Sequence, residues 1–166
     1  MLINQPHNFS LFNHLCAFNP STIFINQSRM LSYWSHSIEK KIIQRGIDTP
    51  VYAGFQHLGR FKPVARHYQK IAQTAPVWVF GEAGQTQPQS QDGVHFMALQ
   101  PYDRLAQEWF VMVNHPQYAH ALIAREVRPT APGQPRQFRG VLTSNRSIIH
   151  YAFEALEAYV QHASLV

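Results

Sequence analysis

The stretch QYAHALIARE, residues 117–126, decides how the rest of the chain is read. Tyr118, Leu122 and Ile123 recur at the three- and four-residue spacing of an amphipathic helix. Pro116 suits a first helical turn, where its missing N–H would have no partner, and Asn114 or His115 can cap it. Read as a helix, the stretch turns Glu126 toward the buried side and leaves Arg125 at the border of that face. Adjacent helical residues diverge by about 100°, so the two do not pair with each other. A carboxylate on the buried side then needs a cationic or hydrogen-bonding partner.

Upstream, EWFVMV (108–113), VHFMALQ (94–100) and VWVF (77–80) read as strands, with VWVF apolar on both faces and therefore interior to a sheet. PVYAGFQ (50–56) alternates Val51, Ala53 and Phe55, and Gly54 within it marks a bulge or a close backbone approach. Downstream, FRGVLT (138–143) offers one more strand. A closing helix from about Asn145 to Ala163 carries the most regular apolar stripe of the chain, Ile149, Ala152, Phe153, Leu156, Tyr159, Val160 and Ala163. Two more helices are expected, one from Ser28 to Arg45 stopped by Gly46 and Pro50, the other from Lys62 to Ala75 with Pro63 in its first turn. Residues 81–93 and 128–137 read as surface connections. Residues 1–28 carry no Lys, Arg, Asp or Glu; they read as a docked arm with a short helix through Leu11, Leu15 and Phe18 and a break at 19–21. The expectation is a single α+β domain over 1–166, a central mixed sheet of four to five strands with helices packed on it.

Hydrophobic residues make up 45% of the chain, enough for a core, and only 14% are charged. The longest apolar runs fall far short of the roughly 20 residues of a membrane span. The lone Cys16 forms no internal disulfide and no secretory leader is visible, which fits a cytoplasmic protein. The net charge of +5 is concentrated: residues 29–70 hold eight basic side chains against Glu39 and Asp48. Lys40, Lys41, Arg45, Lys62 and Lys70 form a candidate basic face for an acidic partner. The basic segment alone supports nucleic-acid binding, without a recognisable reading motif, so that reading ranks last.

Catalytic signatures are sparse. No glycine-rich phosphate loop or G-x-S-x-G elbow is present, and no catalytic residue is assigned. No metal site is expected: His115 and His120 are five apart, and Cys16, between Leu15 and Ala17, reads as a small buried hydrophobe. Glu108 beside Trp109 is the more informative carboxylate, since burial there calls for accepted hydrogen bonds or a cation, with Arg66, Arg104 and Arg125 as candidate partners.

STIFINQSRMLSYWSHSIEKKII, VYAGFQHLGRF with ARHYQKIA, VWVFG, LAQEWFVMVN with YAHALIARE, and FRGVLTSNRSII resemble, in this order and spacing, the DICT domain, over about residues 9–160. The resemblance implies an α+β fold with about four strands, a regulatory role in cytoplasmic signalling, and a connection to light responses in cyanobacteria. Output modules usual for the family do not follow in this chain, so a stand-alone form signalling through a separate protein is expected. The resemblance carries no catalytic residues and names no cofactor. Gln56, Arg66, Tyr68, Glu108, Trp109, Arg125 and Glu126 are the candidate ligand- or partner-binding positions. The competing reading is a structural or adaptor subunit docked in a larger assembly without a small-molecule ligand.

Overall fold

The structure is a computed structural model that describes residues 6–18, 23–25, 27–84, 89–128 and 131–163. The expected break at 19–21, the centre of the 81–93 loop at 85–88, and residues 129–130 lie outside the described residues. The described elements are α1 (Leu11–Phe18), β1 (Ile23–Ile25), α2 (Ser28–Arg45), β2 (Val51–His57), α3 (Ala65–Ile71), β3 (Val77–Glu82), β4 (Val94–Leu99), β5 (Glu108–His115), β6 (Tyr118–Val127), β7 (Gln137–Thr143) and α4 (Arg146–Ala163). The strands form one mixed sheet in the order β1-β7-β6-β5-β2-β3-β4. The fold is α+β with helices on the sheet, and among the described residues the sheet has seven strands rather than four or five.

Two features account for the larger sheet. The stretch 117–126 is not a helix: it is β6, paired antiparallel with β5 from His115↔Tyr118 to Glu108↔Arg125. Pro116 and Gln117 form the two-residue turn of that hairpin, a position proline's fixed φ tolerates as well as it does a helix start. Once extended, residues 118, 122 and 124 face one layer while 119, 121 and 123 face the other, and both sets are buried. A strand apolar on both faces has no period of its own, and three of its residues fell by chance on helical spacing. The second addition, β1, is only three residues long and pairs with β7.

Each face of the sheet carries its own core. On one, Leu31, Ile38 and Ile42 of α2 and Tyr68 and Ile71 of α3 pack on Val51, Val79, Val111 and Leu122. On the other, Leu11 and Leu15 of α1 and Ile149, Phe153 and Leu156 of α4 pack on Phe80, Phe110, Met112 and Ile123. Strand β3 is interior, parallel to both β2 and β4. Gly46 ends α2 in the left-handed region at φ 57°, returning its N–H to the carbonyls of Ile42 and Ile43. Asn145 caps α4, its side-chain oxygen accepting from the Ser147 and Ile148 amides. The expected helix 62–75 is shorter: Leu58–Val64, with Pro63, coils as a 3-10 turn before α3. No helix among the described residues is long and apolar enough to cross a membrane.

Candidate functional site

The sheet separates Arg125 from Glu126. Neighbours on a strand point to opposite faces, so Arg125 joins the α1 side and Glu126 the α2 side. Neither needs the helical phase expected of it, and each enters a different polar cluster.

On the α1 side, Glu108 is fully buried directly opposite Arg125. Its carboxylate accepts the Ser10 hydroxyl and, at 3.1 Å, the Phe12 amide, so it satisfies the free N–H groups at the start of α1. Ser10 completes the cap by accepting the Asn13 amide at 3.1 Å. Burial pushes the Glu108 carboxyl up to about 8, against the lowering effect of these hydrogen bonds and of Arg125. Arg125 donates to Asn13 Oδ1 at 2.8 Å and lies over the Phe12 ring. Of the three arginines the sequence offered to Glu108, Arg125 is the one in place; this cluster anchors the arm. Cys16 is half-buried against the same core, and burial raises its thiol, which disfavours the reactive thiolate.

On the α2 side, the bulge that ends β2 sets the geometry. The register shifts between Gly54 and His57, and Gln56 adopts φ 64°, a left-handed conformation uncommon for a residue with a side chain. Gln56 is buried there as a hub. Its Nε2 donates to the Gln107 carbonyl and to Glu126 Oε2, both at 3.0 Å, while its Oε1 accepts from Arg60 and Arg136. Arg136 also donates its Nε to Glu126 Oε1 at 2.9 Å. Glu126 retains 28% side-chain exposure, and the Arg136 hydrogen bond leads the effects that hold its carboxyl below the usual range. For Arg60, burial first and then the Arg136 charge push the guanidinium down. Arg136 thus takes the Glu126 carboxylate, and Arg60 has no ion pair among the described residues.

This cluster borders an open pocket of about 360 Å³ between α2, the 58–64 turn and the sheet. Phe55 and Trp109 line its apolar part, with the Trp109 indole N–H fixed to Ser35 Oγ at 3.0 Å. Arg60 and Arg136 line the polar part, and Glu39 and His36 stand on its α2 wall. Glu39 is 1% exposed and accepts the Tyr68 hydroxyl at 2.7 Å. Burial is also the main reason that the Tyr68 phenol is raised well above its ordinary range. A second open hollow of about 380 Å³, beside Leu58, Phe61 and Phe96, has Lys62 as its charged lining residue, and another of about 350 Å³, at the end of β6, is lined by Asp103, Arg104, Arg125, Glu126 and Arg128.

Of the candidate positions Trp109 lines the pocket; Gln56 and Glu126 are tied to it through Arg60 and Arg136, and Tyr68 is tied to it through Glu39. Glu108 and Arg125 lie on the opposite face, and Arg66 is exposed on α3 outside the cluster. Of the basic face, Arg45 donates to the Gln117 carbonyl at 2.8 Å and, like Lys41, lies over the Tyr118 ring. Lys40, Lys62 and Lys70 are exposed. Sequence reasoning missed Arg60, Arg136, Glu39 and Ser35. Glu39 left a signal: it lies four after Ser35 and three before Ile42, within the buried stripe of α2. Arg136, in a proline-rich connection, left none.

The chain belongs to the DICT family, described as "Sensory domain in DIguanylate Cyclases and Two-component system", whose profile matches residues 10–127. It is therefore a sensory domain of signal-transduction proteins. Strand β7 and helix α4 lie beyond the matched residues. Comparison with curated proteins gives no match. The solved structure of NucT from Helicobacter pylori is similar over 82% of this chain and 96% of that one, at 10% identity and a TM-score of 0.36, too distant to carry an argument.

Proposed function

We propose that this sensory domain is non-enzymatic and binds a small organic anion in the pocket between α2 and the sheet. The observation that carries the reading is the pair Arg60 and Arg136, held on one amide oxygen of a strained Gln56 beside Trp109 and Phe55, with only Arg136 paired to a carboxylate among the described residues. Guanidinium groups recognise carboxylates and phosphates in a planar fork, and an aromatic wall suits a flat apolar body. An incoming anion supplies the counter-charge that Arg60 lacks. Its arrival shifts Arg136, Glu126 and the end of β6, and the exposed Lys40, Lys62 and Lys70 offer a protein partner an electrostatic contact.

Thermal unfolding against a panel of aromatic carboxylates and mononucleotides tests this. A matching ligand at a hundredfold excess over its Kd stabilises the protein by about 2.7 kcal/mol, and Arg60→Gln and Arg136→Gln both abolish the gain. Stabilisation that survives both substitutions refutes the pocket assignment. We further propose a cytoplasmic location, supported by the lone Cys16 and the family resemblance, and a link to light responses, supported by the resemblance alone. An absorption spectrum of protein purified from its own source tests the latter: a bound pigment supports it, and a colourless protein with a bound anion does not.

A further inference from the structure

Glu39 presents an electrostatic problem that the pocket's anion does not solve. Its carboxylate is 1% exposed, and no Lys or Arg lies within salt-bridge distance among the described residues. A buried anion is costly unless a positive charge meets it. What meets it is a pair of imidazoles aimed at one oxygen: His36 Nδ1 stands 3.1 Å and His67 Nδ1 3.3 Å from Glu39 Oε2. His36 and Glu39 share a face of α2 at i and i+3, and α3 packed alongside supplies His67.

We propose that His36, Glu39 and His67 form a site for a divalent first-row transition ion such as Zn²⁺. One ligand atom from each residue lies within 4.8 Å of the other two. Donors at about 2.0–2.1 Å around a tetrahedral ion stand about 3.3 Å apart, which the two nitrogen–oxygen distances match. Both are longer than the roughly 2.7–2.9 Å of a charge-assisted hydrogen bond. The Tyr68 hydroxyl, 2.7 Å from Glu39 Oε1, orients the carboxylate from behind, the role an outer-shell partner plays at a metal site. Two imidazoles and one carboxylate favour Zn²⁺, Co²⁺ or Fe²⁺ over Mg²⁺ or Ca²⁺, which prefer oxygen throughout. Three protein donors leave a coordination position open, and His36 and Glu39 line the pocket. Separation in sequence explains why metal spacing was not visible: His67 comes from a different helix. The site stands independently of the organic anion, since its evidence is the buried carboxylate and the two rings.

The test is calorimetric titration of the full chain with Zn²⁺ alone, and with Co²⁺ read by its visible absorption. One ion per chain is expected, with Mg²⁺ giving no heat. The half-exposed histidines, 49% and 48% for His36 and His67, can be replaced without opening the core, so His36→Ala and His67→Ala remain folded by circular dichroism. Each is expected to weaken Zn²⁺ binding by at least about 10-fold, the lower end of what loss of an outer-shell partner costs. His150→Ala, at an exposed pair with Glu154 on α4, leaves binding unchanged. Absence of Zn²⁺ and Co²⁺ binding, or binding that survives both His36→Ala and His67→Ala, overturns the proposal.

Discussion

A carboxyl group sealed under α1 titrates against a different background from one at the pocket's edge. Glu108 keeps its proton to about 8 in the folded chain, whereas an exposed carboxyl releases it near 4.5. Between those values the unfolded chain has lost the proton and the folded chain holds it, so stability falls as pH rises through the window and levels off above it. Urea unfolding between about pH 5 and about pH 8 measures the slope, and Glu108→Gln is expected to remove most of it. A slope unchanged in Glu108→Gln assigns the titration to another group. Glu126 works in the opposite sense: its lowered carboxyl stabilises the fold above the ordinary carboxylate range and loses that contribution as pH falls.

The β5–β6 hairpin shows how much of the fold the sequence makes legible. Periods and stop signals locate α2, β2, β3 and α4 because one face of each helix is solvated, or because flanking Gly and Pro punctuate the strand. Residues 118–124 meet cores on both faces, so only length and turn chemistry could have separated strand from helix, and Pro116 serves either. The candidate site was half legible for a related reason. Gln56 and Trp109 sit in recognisable strands, whereas Arg60 and Arg136 come from irregular segments that only the folded chain brings to one amide. Gly54, by contrast, was readable as a close approach. It lies opposite Phe110, and a Cβ there would come within 2.3 Å of that ring. Gly54→Ala is expected to cost about 1–3 kcal/mol by overpacking, with the fold retained, as measured by denaturant unfolding. A cost below about 0.5 kcal/mol would mean that the ring has room to shift.

At the scale of the molecule, β7 and α4 complete what the family's matched residues leave open. Strand β7 pairs with β6 from Ala121↔Thr143 to Val127↔Gln137, and α4 covers Phe110, Met112 and Ile123. A chain ended at Val127 would present β6 as a long apolar edge and uncover one core, so it is expected to aggregate in size-exclusion chromatography where the full chain stays dispersed. The adjacency of Arg125 and Glu126 has a further consequence. One residue holds the arm and the next holds the pocket, with no flexible segment between them, so the two faces share a thermodynamic account. If an anion at Arg136 tightens the docking of α1 by some factor, reciprocity requires that docking tighten the anion by the same factor. A protein that captured the arm would then discharge the pocket, and the domain could be read from either side of its sheet.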